Sequence, residues 1–245
     1  ELISAFYEGN RLSAVKTAEI AKSGEIAVDL EKGNADSVRL YVFGQESLRP
    51  LAQKKTTYPV LEENAKVTVY TIGDSICADY AAGDLLKGWG QMLGAKFDET
   101  HVTVDNSRAL AGMWAANFLS SGRFSYQLSK LKENDYVLIQ LAHNDKDKYP
   151  IDDYITLLGQ FVAGARQKGA IPVFVTSPES RTAASDTLLS DGTYQVSSML
   201  KGYPEAMKQF AAENGVPVVD LNQHMRDLMA EKGKTGVTEM GIYAT

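Results

Sequence analysis

The chain has little of what several kinds of functional site require. Its 245 residues include one cysteine, Cys77, which excludes an internal disulfide and a cysteine-rich metal site. There are three histidines, and no cluster of His, Asp and Glu has the spacing of metal ligands. No apolar run approaches the roughly 20 residues that span a bilayer. We therefore expect no metal, no other cofactor and no membrane partner.

The charge balance also disfavours some partners. The formal net charge of -6 lacks the basic excess of a nucleic-acid-binding domain and does not favour anionic membranes. Hydrophobic residues at 44% and charged residues at 23% are ordinary for a soluble globular protein. The length allows one large domain, or a large domain with a small one.

Residues 1–60 have a strand-like pattern. Segments 25–30 and 38–43 alternate apolar and polar residues with a period of two, and glycine-containing turns separate such segments. Segment 38–51 resembles the last strands of a small β module of bacterial surface and polysaccharide-degrading proteins. We expect residues 1–60 to be a partial β-sandwich-like module and linker, within a longer multi-domain protein.

Residues 61–245 follow a different pattern, in which buried-type strands alternate with helices. The strands are expected at 67–72, 102–104, 136–141, 171–175 and 216–221. The helices are expected at 84–93, 124–131, 153–168, 198–214 and 225–232, the last one ended by Gly233. This order predicts an α/β fold with a mostly parallel sheet, covered on both faces. In such sheets ligands bind beyond the carboxyl ends of the strands.

Three short polar groups stand at those strand ends. Gly73, Asp74 and Ser75 follow the first strand, a loop containing Gly112 follows the second, and the triplet 143–145 (His-Asn-Asp) follows the third. Taken singly, each has a plain structural interpretation: a helix cap, a loop glycine and structural hydrogen bonding. Their order, each at the correct end of a strand, favours a common site.

This order resembles the SGNH (GDSL-type) hydrolases, and most of all the rhamnogalacturonan acetylesterase-like carbohydrate esterases, over residues 64–245. The segment 88–93 (Gly-Trp-Gly-Gln-Met-Leu) is also typical of that subgroup. The resemblance implies a flavodoxin-like three-layer sandwich with a five-stranded, mostly parallel sheet. It also implies that Ser75 is the nucleophile, with an oxyanion hole formed by the Ser75 and Gly112 amides and the Asn144 side chain. Ala142 stands where the family usually has glycine.

The general base expected of a serine hydrolase does not match any histidine in the sequence. The family supplies it from a late Asp-x-x-His motif, whereas His101 lies at the wrong end of a strand and His143 belongs to the asparagine block. His224 follows Asp220 at a spacing that fits a helix entry better than catalysis. We expect the Asp-x-x-His segment to lie past Thr245.

The leading hypothesis is a bacterial, secreted or cell-surface serine esterase that deacetylates plant cell-wall polysaccharide, either pectic rhamnogalacturonan or xylan. A lipase or thioesterase of the same superfamily is an alternative, as is a non-catalytic carbohydrate-binding or structural module, which the absent base favours. Nucleotide binding is disfavoured because the Gly73 loop lacks a phosphate-binding glycine pattern.

Overall fold

A computed structural model describes residues 2–9, 11–18, 33–42, 56–59 and 66–241. The chain divides into two compact units, Glu1–Ala65 and Lys66–Thr245.

The first unit contains an antiparallel sheet. Its described strands are β1 (Leu2–Glu8), β2 (Arg11–Ala18), β3 (Ser37–Val42) and β4 (Thr56–Pro59), in the order β2-β1-β3-β4. Ala5 and Phe6 of β1 are buried, while Leu12 and Val15 of β2 are exposed. The strand expected at 38–43 is present as β3, whereas the one expected at 25–30 lies outside the described residues.

The second unit is built on a sheet of five strands. These are β5 (Val67–Gly73), β6 (Val102–Asp105), β7 (Tyr136–Gln140), β8 (Ile171–Val175) and β11 (Val218–Val219). Neighbouring strands all pair in parallel, in the order β11-β8-β7-β5-β6. This is the flavodoxin-like strand order, whose direction of winding reverses between β5 and β7. The fold class predicted from the sequence is confirmed.

Helices cover the sheet and supply much of the core. They are α1 (Trp89–Leu93), α2 (Ala115–Ser120), α3 (Arg123–Lys130), α4 (Ile151–Gln167), α5 (Tyr203–Asn214) and α6 (Leu221–Glu239). The rings of Phe118, Phe124 and Phe161 meet edge to face beside fully buried Ile72 and Ile139 of the sheet. None of the helices in the described residues is long and apolar enough to cross a bilayer.

The helix expected at 84–93 is wrong in its first half. Residues 79–88 form a loop, and α1 begins only at Trp89. Leu85 and Leu86, which gave the helical spacing, are 83% and 39% exposed instead of packed. Gly88 lies against the Cys77–Ala78 backbone, where a Cβ would come within 2.2 Å of the Ala78 carbonyl oxygen. The apolar pattern here forms a rim around a cleft, not a core-facing stripe.

The C-terminal helical segment is longer than expected. Its first run ends at Gly233, as predicted, where the backbone is non-helical (φ 66°, ψ 178°), but a second run then continues to Glu239. The cause is a hairpin that the sequence did not indicate, formed by β9 (Ala184–Leu188) and β10 (Tyr194–Val196). Asp186 of β9 accepts hydrogen bonds from the Thr235 amide and hydroxyl at 2.9 and 2.8 Å, so it caps the turns that follow the kink.

Candidate active site

Ser75 lies in a tight turn at the carboxyl end of β5. The Asp74 carbonyl accepts the Cys77 amide at 3.1 Å, and the Asp74 carboxylate accepts the Ile76 amide at 3.0 Å. A Cβ on Gly73 would lie 2.3 Å from the Cys77 Cβ, so this close approach requires glycine. No helix begins directly after this turn, since the next helix is α1.

The Ser75 hydroxyl is not used to cap its own turn. The capping bond in this turn is made by Asp74, and within residues 66–241 the Ser75 hydroxyl has no hydrogen-bond partner. The Ser75 backbone carbonyl accepts a hydrogen bond from the Tyr80 hydroxyl at 2.8 Å, which ties the turn to the 79–88 loop. Ser75 is half-buried and lines a cleft of about 370 Å³.

The loop that carries Gly112 is tied to the Ser75 turn. The Leu110 amide donates to the Gly73 carbonyl at 3.2 Å, directly before the turn. Gly112 is exposed with φ +78°, in the left-handed region that favours glycine, and open space surrounds it. The backbone carbonyl of the next residue, Met113, accepts a hydrogen bond from one N–H of the Asn144 side-chain amide at 2.8 Å. The three predicted blocks therefore meet where β5, β6 and β7 end.

Asp145 fixes the asparagine block to the glycine loop. Its carboxylate accepts the Ala115 amide at 2.8 Å and the Tyr149 hydroxyl. Burial raises the pKa of Asp145 from 3.8 to about 6, against the lowering effect of these bonds. Asp145 thus has the structural hydrogen-bonding role that the sequence suggested for it. It anchors the backbone at Ala115, two residues after Met113.

Gln140 connects the Ser75 turn to its surroundings. This fully buried side chain ends β7, and its Nε2 donates to the Ser177 hydroxyl at 2.7 Å and lies 3.3 Å from both carboxylate oxygens of Asp74. Its Oε1 accepts the indole N–H of Trp89 at 3.2 Å. Burial raises the pKa of Asp74 to about 6, and the Ile76 amide and Gln140 oppose that rise.

Asn106 secures the backbone after the turn. Its Nδ2 donates to the Cys77 carbonyl at 2.9 Å and to Asp79 at 2.6 Å, while its Oδ1 accepts from Thr71 and from the Cys77 thiol. Burial raises the pKa of the Cys77 thiol to about 12. Because the thiolate is the reactive form, Cys77 is inert beside Ser75 at neutral pH.

None of the three histidines is hydrogen-bonded to Ser75 in the described chain. The Nε2 of His143 donates to the Pro178 carbonyl at 2.6 Å, and burial lowers its pKa. The Nδ1 of His224 donates to the Asp220 carbonyl at 2.7 Å, which is a contact within the first turn of α6. His101 is exposed in the turn that precedes β6.

The cleft beside Ser75 has apolar walls. Three parts of the chain line it: the 79–88 loop together with α1, the segment that follows β8, and the start of α6. Its apolar lining includes Leu85, Leu86, Trp89, Met92 and Met225. Gly241, the last described residue, lines the same cleft. No group of three metal-ligating side chains occurs among the described residues.

Sequence reasoning did not identify Gln140 or Asn106 as part of the site. A polar residue inside the apolar run of β7 is a usable signal, because a buried amide needs partners for its donors and its acceptor. Asn106 had no such signal, since it lies in a loop rich in polar residues.

A serine whose hydroxyl has no hydrogen-bond partner in the described chain, in a turn at the switch point of a parallel sheet and tied to a neighbouring loop, is typical of serine hydrolases. The comparisons agree with this class. Residues 71–237 match the model of the GDSL-like Lipase/Acylhydrolase family. The chain belongs to this family and is an esterase.

Curated relatives include two proteins of Bacillus subtilis. The chain is 34% identical over 179 residues to the probable rhamnogalacturonan acetylesterase YesY, covering 69% of this chain and 76% of YesY. It is 36% identical over 159 residues to the rhamnogalacturonan acetylesterase RhgT, covering 63% of this chain and 65% of RhgT. The crystal structure of protein YxiM from the same organism shares the fold. Its TM-score is 0.62 at 24% identity, covering 81% of this chain and 56% of YxiM.

Proposed function

We propose that this protein is a secreted bacterial serine esterase that removes acetyl groups from plant cell-wall polysaccharide, with pectic rhamnogalacturonan or xylan as the substrate. The observation that carries the proposal is the free Ser75 hydroxyl in a turn tied to the Gly112 and Asn144 loops. The names of the relatives YesY and RhgT favour an acetylated pectic substrate. Secretion belongs to the same proposal, because a cell-wall polymer is too large to enter a cell.

In the proposed reaction the Ser75 oxygen attacks the acetyl carbonyl and loses its proton to a histidine. The carbonyl oxygen becomes an oxyanion, which accepts hydrogen bonds from the Ser75 and Gly112 amides and from the second N–H of Asn144. The first N–H of Asn144 is already bonded to Met113, which fixes the direction of the other. Collapse breaks the bond to the sugar oxygen, which leaves as a hydroxyl by taking the proton from the histidine, and water then hydrolyses the acetyl-serine.

The histidine is proposed to come from an Asp-x-x-His segment that follows residue 245. Two observations support this. The rings of His143 and His224 donate to the backbone carbonyls of Pro178 and Asp220, and Gly241 lies in the cleft that Ser75 lines. Residues 1–60 are proposed to be a partial β-sandwich-like module and linker, which precede in sequence the hydrolase domain of residues 61–245.

Hydrolysis of p-nitrophenyl acetate tests the proposal, on the 245-residue chain and on the protein extended at its C-terminus. The extended protein should be active, and Ser75→Ala should lower its kcat by at least about 10³-fold. Asn144→Ala should lower kcat by about 10²- to 10³-fold with KM nearly unchanged, since its bond forms only in the transition state. Inactivity of both parent forms would favour a non-catalytic carbohydrate-binding module instead.

A lipase or thioesterase is the second candidate, because the walls of the cleft are apolar. Rates on p-nitrophenyl esters from acetyl to octanoyl separate the two. A fall in kcat/KM with chain length supports the acetylesterase, and a rise supports the second candidate.

A further inference from the structure

The cleft beside Ser75 has an uneven charge. Among residues 66–241, the charged residues that line it are one cation, Lys87, and one acid, Glu179. If both side chains faced the cleft freely, their charges would cancel. The charges do not cancel, because Glu179 is buried with hydrogen-bond partners and Lys87 is exposed.

Glu179 is neutralised within the protein. Its side chain is 1% exposed, and its carboxylate accepts the Met199 amide at 2.9 Å and the Ser198 hydroxyl at 3.3 Å. The guanidinium of Arg226 lies 3.4 Å from the same carboxylate. A buried acid with these partners presents little negative charge to a ligand in the cleft.

Lys87 is exposed and uncompensated. Its ammonium makes one hydrogen bond within residues 66–241, to the Ala81 carbonyl at a long 3.5 Å, and no carboxylate of that range pairs with it. The carboxylate of Asp84, in the same loop, accepts the Ala81 amide at 3.0 Å. In a chain of net charge -6, the rim of this cleft therefore carries a free positive charge.

Trp89 stands two residues from Lys87 and lines the same cleft. Its indole N–H is bonded to Gln140, so the ring is held in one orientation by a buried partner. An aromatic ring with a nearby cation suits a ligand that has both an apolar face and a negative charge. A uronic acid unit of a polysaccharide has both features.

We propose that Lys87 is a specificity residue, which binds the carboxylate of a uronic acid unit of the bound polysaccharide while Trp89 packs against a sugar ring. The protein then prefers acidic, pectic substrates over neutral ones such as unsubstituted xylan. This inference rests on the proposed esterase function and narrows its substrate.

The kinetic test compares Lys87→Gln with Lys96→Gln in the C-terminally extended protein. Lys96 is exposed and lies outside the cleft, so its substitution makes the same charge change elsewhere. Lys87→Gln should raise KM on acetylated rhamnogalacturonan about 5-fold with little change in kcat, as expected for an exposed charge pair. It should leave KM unchanged on acetylated xylan without uronic acid branches and on p-nitrophenyl acetate, and Lys96→Gln should change none of the three. An equal effect on the acidic and neutral polymers, or no effect on either, would overturn the proposal.

A binding test does not need activity. Tryptophan fluorescence of the 245-residue chain is titrated with deacetylated rhamnogalacturonan oligosaccharide, at about 0.05 M and about 0.5 M salt. The parent should bind several-fold more weakly at the higher salt, because exposed charges are screened, and Lys87→Gln should lose this salt dependence. Equal affinities of parent and variant at low salt would refute the role of Lys87. Absence of p-nitrophenyl acetate hydrolysis together with Lys87-dependent binding would instead refute only the esterase function.

Discussion

Replacement of Gln140 by methionine tests whether its amide holds the Ser75 turn to the wall of the cleft. Methionine has a similar length and fills the same buried space, but it removes every polar contact. The indole N–H of Trp89 loses its acceptor, and Ser177 and Asp74 lose their donor. A buried polar group left without a partner costs about 1–3 kcal/mol. Since Trp89 is only partly buried, we expect a total loss of about 2–4 kcal/mol.

Gln127→Met is the matched control. Gln127 is also fully buried, but it makes one hydrogen bond, from its Nε2 to the Thr71 carbonyl at 2.7 Å, and its Oε1 has no partner within the described chain. Its replacement removes one bond and one unsatisfied oxygen together. The expected loss is about 1 kcal/mol or less.

Urea denaturation gives the two free energies of unfolding, and Trp89 emission gives a second readout. In a Trp114→Phe background the emission of Trp89 should shift in Gln140→Met, because the indole N–H has lost its bond, and should stay unchanged in Gln127→Met. Equal losses of stability with unchanged emission in both variants would refute the proposed role of Gln140.

Two further predictions concern the same turn. The pKa of Asp74 is raised from 3.8 to about 6, so its contribution to stability is full below pH 3.8 and falls by about 3 kcal/mol as the pH rises through 6. Asp74→Asn should therefore reduce the difference in stability between about pH 4 and about pH 7 by about 2 kcal/mol in urea denaturation, because part of the full change lies outside this range. Gly90→Ala should cost about 3 kcal/mol, because its Cβ would lie 2.1 Å from the Asn106 Oδ1. Gly94→Ala should instead stabilise by about 0.4–1 kcal/mol, because its Cβ would make only an ordinary contact of 3.9 Å with the Val104 Cβ.

These two predictions fail in different ways. An unchanged pH dependence in Asp74→Asn would mean that Asp74 titrates near its ordinary pKa and that burial has no net effect on it. Equal thermal stabilities of the Gly90 and Gly94 variants would mean that the Asn106 contact is not a close packing constraint.

The parallel sheet was predictable because its strands are short, β-branched and bounded by turn residues. Four of the five expected strands match β5, β6, β7 and β8 within a residue or two. The fifth, expected at 216–221, is reduced to Val218–Val219, both of which are exposed at the sheet edge. Burial on both faces gives a strong signal in sequence, and an edge position weakens it.

The loops around the cleft were not predictable by the same means. In the 79–88 loop the apolar residues have helical spacing, but close backbone contacts decide the local structure. Gly88 lies against the Cys77–Ala78 backbone, and Gly90 lies against the Asn106 side chain. Likewise, the kink at Gly233 depends on Asp186, nearly fifty residues earlier in the chain. Such contacts between distant segments have no periodicity that a single sequence could reveal.

The central claim is that Ser75 is the nucleophile, and covalent labelling tests it most directly. The C-terminally extended protein is treated with a p-nitrophenyl phosphonate ester, and the adduct is located by peptide mass spectrometry. The account predicts one phosphonyl group on Ser75, loss of esterase activity in step with labelling, and no adduct in Ser75→Ala. An adduct on another residue, or esterase activity that survives complete labelling of Ser75, would contradict it.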